Sequence, residues 1–172
     1  MELFRCLECG ICCRDIFDDR GGDKRGLTLT PKEALLFPEN FIAPLAAFGF
    51  EQPDTVFLYQ LKTNNCPLLD QNKCTIYEKR PIVCRAFPLS QGGYSTKCKQ
   101  FKFARNFPEN FVKIVIDWGK TQLNAEKDLD AYIIGSFKKR FVKGIGSWSF
   151  DLATDKWKLK KRYDTIGDRV EF

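Results

Sequence analysis

Eight consecutive residues, Cys6-Leu7-Glu8-Cys9-Gly10-Ile11-Cys12-Cys13, carry half of the eight cysteines in the chain. Cys-x2-Cys-x2-Cys is a ligand spacing. Each two-residue gap lets the backbone turn tightly enough for successive sulfurs to face one small inorganic centre, and the same run opens the ferredoxin pattern that grips an iron–sulfur cluster. Zinc uses the Cys-x2-Cys half of that geometry. Cys13 is the odd member. Adjacent residues project in different directions from a regular backbone, so Cys12 and Cys13 are expected to serve two different centres.

The other four cysteines, Cys66, Cys74, Cys84 and Cys98, lie more than fifty residues on. The fold must bring two cysteine-rich segments together, and eight thiols suit two four-sulfur sites. Disulfides or buried core cysteines are the alternative. Metal or cluster ligation is preferred, because the opening residues Met1 to Cys6 lack the apolar core of a signal peptide that would direct the chain to an oxidising compartment. A cytoplasmic protein is expected, and no apolar run approaches the roughly 20 residues of a membrane span. Ligation across both segments predicts that metal removal loosens the first hundred residues.

The 172 residues, 44% apolar and 29% charged, suffice for one globular domain with a real core. The chain has no histidine, which removes His-based acid–base catalysis, Ser-His-Asp and Cys-His nucleophiles, and mixed Cys/His zinc sites. The formal charge of +6 counts every cysteine as neutral. Two sites of four thiolates would each carry about −2, so a loaded chain is nearly balanced. Arg5, Arg14, Arg80 and Arg85 are placed to offset the sites rather than to attract nucleic acid.

The elements that position these residues follow from local pattern. Thr30-Pro31-Lys32-Glu33 reads as a capping box opening a helix to about Phe37. Residues 41–50 read as a second short helix or a buried loop, and Thr55 to Leu61 as a strand. The apolar runs around Asp70-Gln71-Asn72-Lys73 read as a hairpin that carries Cys66 and Cys74 toward each other. Pro81 and Pro88 fix the chain direction around Cys84. A helix is expected from Phe107 with Asn106 as cap, with Phe111, Ile114, Val115 and Trp118 at helical spacing. A second is expected from Ala125 to about Val142, with Leu129, Ile133, Phe137 and Phe141 on one face. Both are read as packing on the cysteine-bearing region. Phe150 to Tyr163 reads as a terminal hairpin; its cluster Lys156, Lys158, Lys160, Lys161 and Arg162 reads as a solvated strand face guarding an edge rather than a nucleic-acid surface. The class is α+β: a small cysteine-rich metal-binding domain of short helices and hairpins over residues 1–104, then a helical segment and a terminal β-hairpin over residues 105–172.

The set Cys6-x2-Cys9-Gly10-x-Cys12-Cys13-Arg14, Leu29-Thr30-Pro31-x-Glu33, Cys66-Pro67-Leu68-Leu69-Asp70, Lys73-Cys74-Thr75-Ile76-Tyr77-Glu78-x-Arg80-Pro81, Cys84-Arg85-x-Phe87-Pro88-Leu89 and Cys98 resembles the CxxCxxCC family, described as zinc- or iron-chelating. Flagellin lysine N-methylase-like proteins share the same cysteine region. The resemblance spans roughly residues 4–100 and implies that Cys6, Cys9, Cys12, Cys13, Cys66, Cys74, Cys84 and Cys98 are the ligand candidates. Two functions of different class follow. One is a metal-binding protein holding iron–sulfur cluster(s) or zinc, acting in redox, cluster handling or protein interaction, with a protein as the compatible partner and neither nucleic acid nor membrane expected. The other is an S-adenosylmethionine-dependent protein lysine methyltransferase-like enzyme. Against the enzyme, Gly144-Ile145-Gly146 follows a helix, not a strand, and so forms no Rossmann fingerprint. The spacing Cys9-x3-Cys13 also lacks the third cysteine of a radical S-adenosylmethionine motif. Cys66-Pro67 echoes the Cys-Pro that closes ferredoxin motifs, which inclines the metal toward iron–sulfur.

Overall fold

The computed structural model describes residues 8–20, 22–87, 89–90, 93–94, 98 and 108–172. The chain forms two compact units interleaved in sequence, Met1–Asp15 with Leu68–Leu129, and Ile16–Pro67 with Asp130–Phe172. The expected boundary at residue 104, like Asn106, Phe107, Arg5 and Cys6, lies outside the described residues.

The second unit is built on a five-stranded antiparallel sheet. Its strands are β3 (Thr28–Leu29), β4 (Ile42–Gly49), β5 (Thr55–Leu61), β10 (Ile145–Asp151) and β11 (Lys156–Tyr163), in the order β11-β10-β4-β5-β3. Ahead of it stand a short hairpin, β1 (Asp18–Arg20) with β2 (Asp23–Arg25), and the helical turn α1 (Pro31–Ala34). The capping box forms as expected: Thr30 Oγ1 accepts from the Glu33 amide, and Glu33 Oε2 accepts from the Thr30 amide at 2.9 Å. The α-helix stops at Ala34, short of the expected Phe37.

Residues 42–49 form a central strand, not the helix or loop expected of them. Alanine-rich sequence with burial on nearly every residue has no period-2 signal, and β4 is flanked on both sides by β10 and β5. Pro44 has no amide to give the ladder, and the register shifts between Pro44 and Ala46. Gln60, fully buried, compensates: its Nε2 donates to the Pro44 carbonyl at 2.7 Å and the Phe150 carbonyl at 3.3 Å, while Oε1 accepts from the Gly26 amide at 2.9 Å.

One continuous helix, α3 (Pro108–Arg140), replaces the two expected. No Gly or Pro signal strong enough to break it separates Trp118 from Ala125, and Gly119 is tolerated within it. Its last part belongs to the sheet unit. Ile133 and Phe137 are buried there; Phe137 lies 5.6 Å from the Phe48 ring and 4.8 Å from Tyr163, and Phe48 stacks on Phe57 at 4.2 Å. That end of the aromatic stripe packs on the sheet, against Phe48 and Tyr163. No helix among the described residues is long and apolar enough to cross a membrane.

The terminal hairpin forms and β11 is an edge strand; Lys156 and Arg162 on it are exposed, while Lys158 and Lys160 turn to buried acids. A bulge at Ser147/Trp148 leaves Lys160 without an opposite residue and breaks the simple alternation. Lys158 Nζ reaches Asp23 Oδ1 at 2.7 Å and Asp151 Oδ2 at 2.9 Å, and Lys160 pairs with Asp23 Oδ2. Burial alone would raise the Asp23 carboxyl, which is 1% exposed, but the hydrogen bonds and charges of Lys158 and Lys160 overcome it and hold the pKa at about 2. Lys158, with the Ala153 amide and the Thr154 hydroxyl, likewise holds Asp151 well below the usual carboxylate range. Lys158 and Lys160 thus answer buried acids within their own unit.

Candidate metal centre

The first unit carries Cys9, Cys12, Cys13, Cys74, Cys84 and Cys98; Cys66 falls in the second, next to its boundary at Pro67. All seven stand as thiols. Cys98 is buried, Cys12 exposed and the other five half-buried.

Two left-handed residues, Glu8 (φ 48) and Gly10 (φ 68), fold the chain sharply around Cys9. A single 3-10 turn, Ile11–Cys13, follows, closed by the Cys13 amide on the Gly10 carbonyl at 3.1 Å and the Arg14 amide on the Ile11 carbonyl at 3.3 Å. The chain then becomes extended at Arg14 (φ −121, ψ 153), so Cys12 and Cys13 sit at the end of a turn rather than inside a regular helix or strand. Cys13 is the hydrogen-bond partner that acts most on the Cys12 thiol. That bond is the main reason the Cys12 pKa drops to about 7. Burial of the sulfur among its neighbours opposes the drop, and the Cys12 amide and the Arg80 guanidinium assist it. A thiol poised at that value supplies thiolate, the ligand and nucleophile form, at neutral pH.

Cys74 is placed by the hairpin of β6 (Leu69–Asp70) and β7 (Lys73–Cys74). Gln71 (φ 43) and Asn72 (φ 70) are both left-handed, as a two-residue I′ connection requires, and asparagine is among the few side chains that adopt this readily. The Thr75 amide and hydroxyl both donate to the Leu68 carbonyl at 3.0 Å and continue the pairing. The expected hairpin is present, but its register sets Cys74 opposite Leu69, not Cys66.

The opening cysteine loop rests on this hairpin. A Cβ on Gly10 would stand 2.8 Å from both the Asn72 carbonyl oxygen and Leu69 Cδ1, a gap only glycine fits. Arg14 Nη2 donates to Asn72 Oδ1. Nothing in the cysteine spacing singled out Asn72; the signal was its place as the second residue of a two-residue turn.

Cys84 lies in the short helix α2 (Ile82–Ala86), begun by Pro81 and closed by the Arg85 amide on the Pro81 carbonyl at 3.0 Å. Trp118 Nε1, on the first part of α3, donates to the Ala86 and Phe87 carbonyls at 3.3 and 3.0 Å, covering orphan acceptors at the end of α2. Arg80 is fixed by its Nε on the Tyr77 carbonyl at 2.7 Å and by its guanidinium 3.7 Å above the Tyr77 ring. Of the four arginines expected to offset the cysteines, Arg80 acts on Cys12, while Arg14 is spent on Asn72.

The donor set fits a soft metal: sulfur ligands, one thiol poised near neutrality, and a cation beside it. Among the described residues no three Cys, Asp or Glu side chains already converge as a cage for a metal ion. Comparison with curated proteins and with solved structures gives no match. Residues 5–110 match the model of the CxxCxxCC family, "Putative zinc- or iron-chelating domain". The match covers more than half of the chain and takes in all eight cysteines, so the chain belongs to the CxxCxxCC family of zinc- or iron-chelating domains.

Proposed function

We propose that this protein binds iron–sulfur cluster(s), with zinc as the competing metal, through Cys6, Cys9, Cys12, Cys13, Cys66, Cys74, Cys84 and Cys98, and works in redox, cluster handling or protein interaction. The observation that carries the reading is the Cys12–Cys13 pair, with its thiol near neutrality, on a loop seated against the hairpin of Cys74. A bound cluster supplies one-electron chemistry; zinc supplies a closed structural link. The protein's own part is to hold the Cys12 thiol near neutrality, with the Arg80 guanidinium favouring its thiolate.

Purification without oxygen, an absorption spectrum, and iron, sulfide and zinc counts per chain test the proposal. A brown protein with iron and acid-labile sulfide is the expected result. A colourless protein with zinc would make the centre structural, and a chain holding neither metal would defeat the reading.

A further inference from the structure

We infer that Asn72 is a positioning residue, the centre of a metal-independent clasp that holds the Cys9–Cys13 loop against the Cys74 hairpin before any metal arrives. This extends the metal-binding reading, although the clasp itself involves no cysteine sulfur. Three observations carry it. Gly10 packs against the Asn72 backbone so closely that a Cβ would meet its carbonyl oxygen at 2.8 Å. Arg14, just past the 3-10 turn, donates to the Asn72 side chain across 58 residues of sequence. Asn72 itself is in the left-handed region at φ 70, so the turn presents its carbonyl to Gly10 and its amide side chain to Arg14 together.

The clasp brackets the cysteine pair. Gly10 stands two residues before Cys12 and Arg14 directly after Cys13, so anchoring both ends fixes the turn that carries the two cysteines. Two cysteine segments far apart in sequence would otherwise meet only by closing a long loop, an entropic cost that the metal would have to offset at each binding event. A preformed seat removes much of that cost from the metal step, which is the general effect of preorganisation.

The test is amide exchange on the full reduced chain without metal, followed by titration with Co²⁺ as the probe. Asn72→Gly keeps a residue suited to the left-handed turn but removes the acceptor for Arg14. It should speed exchange of the Cys13 and Arg14 amides about fivefold, the worth of one net hydrogen bond, and leave the Thr75 amide unchanged. Asn72→Asp, which still accepts from Arg14 and tolerates the same φ, should restore wild-type exchange. Arg14→Ala, which leaves the hairpin sequence intact, should match Asn72→Gly, and the double variant should add nothing further. Cobalt affinity should fall by the same factor in Asn72→Gly while the thiolate-to-cobalt absorption at saturation keeps its intensity. Wild-type exchange at Cys13 and Arg14 in both Asn72→Gly and Arg14→Ala would overturn the clasp. A wild-type chain that takes up no cobalt would overturn the metal reading alone, because the exchange measurement contains no metal.

Discussion

The two units are held together by different forces. In the sheet unit, Leu29, Leu45, Phe48, Phe57, Leu58, Leu61, Phe137 and Tyr163 are all buried, and at about 25 cal/mol per Å² of apolar surface such side chains stabilise a fold unaided. In the cysteine unit, the buried apolar side chains among the described residues are Pro81, Cys98 and Ala125. Its described strands, β6, β7, β8 (Leu89–Ser90) and β9 (Gly93–Tyr94), are two residues long, and the contacts between its described segments include single polar ones: Arg14 on Asn72, Arg80 on Tyr77, Trp118 on the end of α2. Where the described residues bury so little apolar surface, a bound metal adds its binding free energy to the fold. The comparison teaches where metal dependence should reside, and it narrows the expectation drawn from sequence. The first hundred residues include β3, β4 and β5, which belong to the sheet unit and have a core of their own.

Metal removal should therefore split the molecule, and it is the largest effect expected. Chelation should raise exchange of the Lys79 and Arg85 amides by an order of magnitude or more, because a bound metal adds its binding free energy to the fold around it, while the Thr75 amide of the metal-independent clasp keeps its protection. Amides of β4, β5 and β10 should be unmoved; their loosening in step with the cysteine unit would erase the distinction between the two regions.

Next in size, Phe137→Ala removes the ring that meets Phe48, Tyr163 and Phe141. It should cost about 3–5 kcal/mol in urea unfolding of the sheet unit. Little change would mean that the helix is not what covers this sheet.

Acid should weaken the sheet unit through Asp23. With a native pKa of about 2 against roughly 3.9 in an unfolded chain, the native state holds fewer protons between these values. The stabilisation is present above about pH 4 and is lost as pH falls toward 2. Asn in place of Asp23 should lower stability at pH 6 and flatten the loss between pH 4 and 2, read as urea midpoints. An unchanged acid slope would show that Lys158 and Lys160 do not depend on this carboxylate.

The smallest effect is Thr30→Ala, which deletes the capping-box acceptor and should cost about 1 kcal/mol. Its destabilisation should appear in the sheet unit and leave metal content unchanged.

Strong local signals were legible from residues alone. The capping box at Thr30, the strand at Thr55 to Leu61, the turn at Gln71 and Asn72 and the terminal hairpin each depend on chemistry a few residues wide. The strand at Ile42 to Gly49 was not legible, since burial on both sides replaces alternation and only the neighbouring strands make alanines extended. The lysines of β11 were read as solvated because their partners, Asp23 and Asp151, come from other strands of the sheet unit.

By itself the sequence determined the family and the donors on offer: eight cysteines, no histidine, and residues between the cysteines specific enough to set the family. Spacing and residue type are local and survive any arrangement of the chain. Only the tertiary structure decided that Arg80 lowers the Cys12 thiol and that Asn72 seats the loop that carries it. Those facts depend on contacts between segments more than fifty residues apart, and short-range pattern carries no information about which distant side chains a fold will bring within a few ångströms.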